Sequence, residues 1–167
     1  MALNIVLVEP EIAVNAGNIA RTCAAIGATL HMIKPYGFDT SEASVKKNMK
    51  RAGLDYWDKV NIIEYENLEE FINKTKNEKI YLLSTKSKKI YSEVDYEDGC
   101  FLVFGPETRG LPEKYILDNF ENSLRIPMKD MIRSLNLSNS VAIVAYEAEK
   151  QIGFKNLLET SSYFGEI

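Results

Sequence analysis

Histidine, cysteine and tryptophan are scarce in this chain of 167 residues: it has one His, two Cys and one Trp. His31, Cys23 and Cys100 leave too few ligands for a histidine-rich or cysteine-based metal site, and two cysteines do not make a disulfide framework. No stretch is apolar over the length a bilayer-spanning helix needs. The apolar start, residues 3–8, lacks a basic segment before it and a small-residue cleavage site after it. It reads as a first strand, so the cytoplasm is the expected compartment and no membrane is expected as a partner. Two nucleotide-binding signatures are missing as well. There is no G-x-x-x-x-G-K-[ST], and the first strand runs into Glu9-Pro10-Glu11 rather than G-x-G-x-x-G. Excess positive charge is also absent. A net charge of −4 argues against tight non-specific binding of nucleic acid, which depends on neutralising phosphates. Two local basic runs remain, Lys46, Lys47, Lys50 and Arg51, and Lys86, Lys88 and Lys89; such runs are more often solvated faces than sites.

What is present is ordinary in bulk and organised in order. Hydrophobic residues make 46% and charged residues 26%, as expected of a soluble globular domain with a real core. Strand patterns fall at 3–8, 30–33, 60–65, 80–85, 101–104 and 124–126. Helix patterns fall at 16–26, 41–51, 68–74, 112–119 and 141–151, with Asn15 as a cap and Gly27 and Gly153 as stops. Alternation of the two predicts an α/β fold, a mostly parallel sheet with helices on both faces. In such sheets ligands sit beyond the carboxyl ends of the strands, here in the loops after Leu83, Phe104 and Ile126.

Three segments carry candidate chemistry. The loop that follows Ile126 holds Arg133, Ser134, Asn136, Ser138, Asn139 and Ser140, a density of hydroxyls and amides that suits a ligand loop. Gly105 and Gly110 bracket Pro106-Glu107-Thr108-Arg109, either an ordinary strand–helix connection or a cradle whose backbone approaches a ligand closely. Asn18 and Arg21 share a face of the first helix. Arg21 is either an exposed side chain paired with Glu9 or Glu11, or a guanidinium placed to hold phosphate or a developing alkoxide.

Taken in order, Asn15-Ala16-Gly17-Asn18-Ile19-Ala20-Arg21, Phe104-Gly105-Pro106-Glu107-Thr108-Arg109-Gly110-Leu111, and Ile126-Pro127-Met128 followed by Arg133-Ser134-Leu135-Asn136-Leu137-Ser138-Asn139-Ser140 resemble the SPOUT class of S-adenosylmethionine-dependent RNA methyltransferases, in its SpoU-type 2′-O-ribose branch. Leu30-His31-Met32-Ile33-Lys34-Pro35 and Arg51-Ala52-Gly53-Leu54-Asp55-Tyr56-Trp57 look like its short, stand-alone subgroup. Ala13 and Ala16 depart from the usual Pro and Thr. The resemblance implies residues 1–154 as one methyltransferase domain with a C-terminal trefoil knot, and 155–167 as a tail. It implies methylation of the wobble cytidine or uridine of tRNA-Leu, with S-adenosyl-L-methionine as donor and no metal. The alternatives are another tRNA or rRNA site, or a non-catalytic RNA-binding dimer. Leu83, Gly105, Ile126 and Ser134 would hold the donor; Arg21 would bind the neighbouring phosphate and assist deprotonation; Asn136 and Ser138 would position the ribose or shape the loop. Asn15, Asn18 and Glu107 would brace the loops, Glu107 through a bond to Asn18. Lys46, Lys47, Lys50 and Arg51 would grip tRNA. The chain would be a homodimer with its site at the interface. The stripe Ala142, Ala145 and Ala148 would then meet either the second subunit or the helix's own sheet.

Overall fold

A computed structural model describes residues 2–39 and 59–163. The predicted helix at 41–51, and with it Lys46, Lys47, Lys50 and Arg51, lies outside the described residues.

Seven strands form one sheet: β1 (Asn4–Val8), β2 (Thr29–Ile33), β3 (Ile62–Tyr65), β4 (Ile80–Leu83), β5 (Lys89–Ile90), β6 (Phe101–Phe104) and β7 (Ser123–Arg125). Their order is β3-β2-β1-β6-β4-β7-β5, and every pairing is parallel. β5 was not expected from the sequence, because two residues beginning with a lysine carry no periodicity.

The alternation along β1 and β6 explains why both faces are covered. Ile5, Leu7, Leu102 and Phe104 point to one side, where α1 (Ala13–Ile26) and the last helix, α4 (Leu137–Gln151), pack on them. Val6, Val8, Phe101 and Val103 point to the other, under α2 (Leu68–Lys74) and α3 (Glu113–Asp118). Leu102 is fully buried at the centre. Truncating such a leucine to alanine costs about 2–5 kcal/mol.

The two long helices start earlier than predicted. α1 begins at Ala13, so Asn15 lies in its first turn and is not the cap. α4 begins at Leu137, with Asn136 as its cap: the Asn136 side chain accepts from Ser138 N and Asn139 N. Gly27, at φ +71°, ends α1 as expected, and Gly153, at φ +84°, follows α4. On α4, Ala145 and Ala148 are buried with Val141 and Val144 in the core of their own chain, whereas Ala142, the first of the alanine stripe, is only half-buried. The outer side of α4 exposes Ile143 and Tyr146.

One polar network is buried in the sheet. Asn4 donates to Gly99 O at 2.8 Å, which turns its Oδ1 toward His31 Nε2 at 3.0 Å. Nε2 therefore carries the proton, and Nδ1 accepts from the Tyr65 hydroxyl at 2.9 Å. Burial lowers the imidazole pKa to about 4, so the ring is neutral.

Candidate functional site

β6, β4 and β7 are neighbours in the sheet, so their carboxyl ends bring three loops together. Between them lies a cavity of about 570 Å³, within the range of small-molecule sites. Its apolar walls include Leu83, Phe104, Leu124, Ile126, Met128 and Leu135, and Gly105, Glu107, Ser134, Asn136 and Asn15 also line it. The donor-binding candidates Leu83, Gly105, Ile126 and Ser134 are thus brought to one place. Asn18, Arg21 and Ser138 are not among its walls. Asn18 and Arg21 are exposed on α1. Ser138 donates from both its backbone N, at 2.9 Å, and its hydroxyl, at 2.7 Å, to Asn136 Oδ1; it completes the start of α4.

The strand–helix loop after β6 folds back on itself at Gly105. A Cβ there would fall 2.3 Å from Leu111 N and 2.4 Å from the Gly110 carbonyl carbon. Gly110, at φ +69°, donates its N–H to Pro106 O at 3.0 Å and closes the turn. The loop is close-packed on its own backbone, and Gly105 to Leu111 all line the cavity.

Glu107 is the hub of the three motifs. Its carboxylate accepts from Glu11 N at 2.8 Å, Ile12 N at 3.2 Å and Asn15 Nδ2 at 3.0 Å. Ile12 N is a donor that the start of α1 leaves unsatisfied, Glu11 N lies just before it, and α1 has no side-chain cap of its own. A carboxylate there also faces the positive end of the helix dipole. Asn15 Oδ1 in turn accepts from Asn136 Nδ2 at 3.0 Å, so one chain of side chains links the loop after β6, the start of α1 and the start of α4. The expected partner Asn18 is replaced by Asn15 because Asn15 is buried against the loops while Asn18 faces solvent.

A second clasp was not foreseen. Glu11 accepts from Thr108 N at 2.9 Å and Thr108 Oγ1 at 2.8 Å, and Arg109 pairs with Glu9 and lies 3.8 Å from Glu11. Glu9 and Glu11, one of the two alternatives for Arg21 being a pairing with them, are engaged by Arg109. Lys86, also in the cavity wall, pairs with Glu113 and holds that carboxyl below the usual range.

The cavity has no histidine or cysteine among its walls. Burial pushes the Cys23 thiol up to about 12 and the Cys100 thiol up to about 11, which leaves both protonated and inert near neutrality. Among the described residues no group of three His, Cys, Asp or Glu is placed to hold a metal ion, and no helix is long and apolar enough to cross a membrane. The arrangement offers apolar walls for a flat ring and a glycine loop beside them, and of its charged residues Lys86, Glu107 and Arg109 are already engaged by protein partners. It suits a ligand recognised by shape and backbone bonds.

Comparison with known proteins places this geometry. Residues 2–146 match the sequence model of the SpoU rRNA Methylase family. A tRNA (cytidine(34)-2'-O)-methyltransferase of Saccharophagus degradans is 48% identical over 153 residues, which cover 90% of this chain and 96% of that protein. A solved structure from Bacillus anthracis, of a candidate RNA methyltransferase, is 48% identical with a TM-score of 0.86, over 95% of this chain and all of that one. A second, from work on 2-OH methylation of C/U34 on tRNA, is 41% identical with a TM-score of 0.81, over 90% of this chain and 96% of that one.

Proposed function

The chain belongs to the SpoU methylase family, and on that premise we propose that it methylates the ribose 2′-hydroxyl of the wobble cytidine or uridine of tRNA, with tRNA-Leu species as substrates and S-adenosyl-L-methionine as donor. The observation that carries the reading is the convergence of all three motif loops on one cavity, tied together by Glu107, Asn15 and Asn136. The similarity, over most of both chains, to a relative named tRNA (cytidine(34)-2'-O)-methyltransferase supports position 34 of tRNA as the target.

The residues present fit such a donor. Leu83, Ile126 and Leu135 offer apolar faces for an adenine ring, the Gly105 cradle offers backbone, and Ser134 a hydroxyl. When bound, the donor supplies a methyl group already activated on a sulfonium. What remains for the protein is to hold the ribose oxygen in line and to ease the loss of one proton. In this proposal Arg21 binds the phosphate beside the target ribose and stabilises the forming alkoxide; as an arginine it stays charged throughout. Asn136 orders the loop facing the ribose through its bonds to Asn15 and the start of α4.

Arg21 stands outside the cavity of its own chain. It shares α1 with the exposed Val14, and α4, packed beside α1, exposes Ile143 and Tyr146. A homodimer through this surface brings Arg21 of one copy toward the site of the other, and the SPOUT knot formed by residues up to 154 belongs to the same reading. The test is a methylation assay on total tRNA followed by nucleoside mapping. The expected product is 2′-O-methylcytidine or 2′-O-methyluridine at the wobble position; a mark elsewhere in tRNA or rRNA reassigns the substrate. Arg21→Ala is expected to abolish transfer and leave donor binding within about twofold by calorimetry; full turnover would sink the Arg21 assignment.

A further inference from the structure

Three cations line the cavity, and two are already engaged, Lys86 by Glu113 and Arg109 by Glu9 and Glu11. The third, Arg133, is exposed and makes no ion pair or hydrogen bond among the described residues. It directly follows a turn in which Ile132 N donates to Lys129 O at 3.0 Å. That bond holds the turn in one shape and stands its side chains out of the core: Met131 is 90% exposed and Ile132 53%. Two adjacent large apolar side chains beside an uncommitted guanidinium, at the mouth of a cavity, match what an unstacked nucleotide presents, a flat apolar base and a phosphate.

Resting on the function proposed above, we propose that the turn at 129–133 is an RNA-reading lip of the site: Arg133 holds a phosphate flanking the target ribose, and Met131 and Ile132 pack on the base next to it. Charge favours RNA as the occupant. Lys129 and Arg133 bracket the apolar pair and Asp130 is the only acid in the turn, whereas the exposed apolar residues that suit a second copy, Val14, Ile143 and Tyr146, lie on α1 and α4. The guanidinium is the appropriate cation, because its planar fork can bind two phosphate oxygens at once. The lip also offers a foothold for RNA on an acidic protein, one that is independent of the lysines at 46–50.

The test uses the full-length protein and a fluorescent anticodon stem-loop RNA with an unmethylated wobble ribose, with anisotropy measured across a salt series. Arg133→Ala is expected to weaken binding on the order of tenfold and to lower the salt slope by about one. Met131→Ser with Ile132→Ser is expected to weaken binding on the order of tenfold with the slope unchanged, because it removes apolar cover and no charge. Both variants are expected to keep their affinity for S-adenosylhomocysteine in calorimetry and their wild-type sedimentation. Unchanged RNA affinity overturns the proposal. So does loss of S-adenosylhomocysteine binding in Arg133→Ala, which would assign the guanidinium to the donor's carboxylate. A changed sedimentation of the double variant would assign the apolar pair to a second copy and overturn it as well. Because RNA binding is read directly, a protein that binds through this lip but methylates a different nucleotide sinks only the substrate assignment.

Discussion

Glu107 shows how much a single side chain can organise. Removing its carboxylate leaves Glu11 N, Ile12 N and Asn15 Nδ2 without their acceptor at a partly buried site. Glu107→Ala is expected to lower stability by roughly 1–3 kcal/mol, measured by urea unfolding, with Glu107→Gln intermediate because it keeps one acceptor oxygen. A wild-type midpoint in the alanine variant would refute the hub role. That Glu107 braces the loops was legible from its place between Gly105 and Gly110; its partner was not, because which of Asn15 and Asn18 faces the loops depends on where α1 begins. His31 makes a separate prediction. Its folded pKa, about 4, lies below the ordinary value of 6.5, so the unfolded chain takes up a proton that the fold refuses. The stability of the neutral ring is complete above pH 6.5 and is lost as pH falls from about 6.5 to about 4, by up to about 3 kcal/mol. As the chain has one histidine, a single imidazole signal reports this by NMR. It is expected to show no titration between pH 8 and 5.5, and a midpoint near 6.5 would show the buried network to be wrong.

Elements were legible where local pattern decides them. The strand at 101–104 and the helix at 68–74 match their expected bounds, the first as an apolar run buried on both faces, the second as a helix capped by Asn67, whose side chain accepts from Glu70 N at 2.9 Å. The start of α1 failed because its cap comes from Glu107, a residue distant in sequence that no local window contains. The start of α4 failed because Asn136, Ser138 and Ser140 read as loop, while the hydroxyls in fact bond back to Asn136 within the first turn. Asn136→Ala is expected to cost about 1 kcal/mol as a lost cap, and more if the freed Asn15 side chain is left without a partner. Its wider effect is predicted on donor binding, read by calorimetry, since the turn before α4 forms one wall of the cavity. Gly105→Ala is the sharper test of the cradle. Its Cβ would meet backbone, which cannot swing aside as a side chain does. Loss of donor binding together with a destabilisation of about 1–3 kcal/mol is expected; an alanine variant that binds the donor normally would show that the loop yields to a side chain at this position.

At the scale of the molecule, periodicity told that strands and helices alternate and that the sheet is largely parallel, but not that β6 and β1 are central or that β4 and β7 lie beside β6. Strand order is set by long-range packing, which no local window of sequence contains. The proposed dimer belongs to this scale too. Tyr146→Asp or Ile143→Glu places a charge on the outer side of α4 and is expected to shift sedimentation toward the monomer and to remove methyl transfer while each chain stays folded; a monomer with full activity would contradict a shared site. The bonds from Glu107 to Asn15 and from Asn15 to Asn136 have a consequence for descent as well as for structure. Each residue uses one end of its side chain for the next, so a heritable change at any of the three leaves the other two mismatched. Lineages of this chain should therefore keep the trio together or exchange it together, and genetic suppressors of a lesion at Asn15 should map to Glu107 or Asn136 rather than to nearer neighbours in sequence.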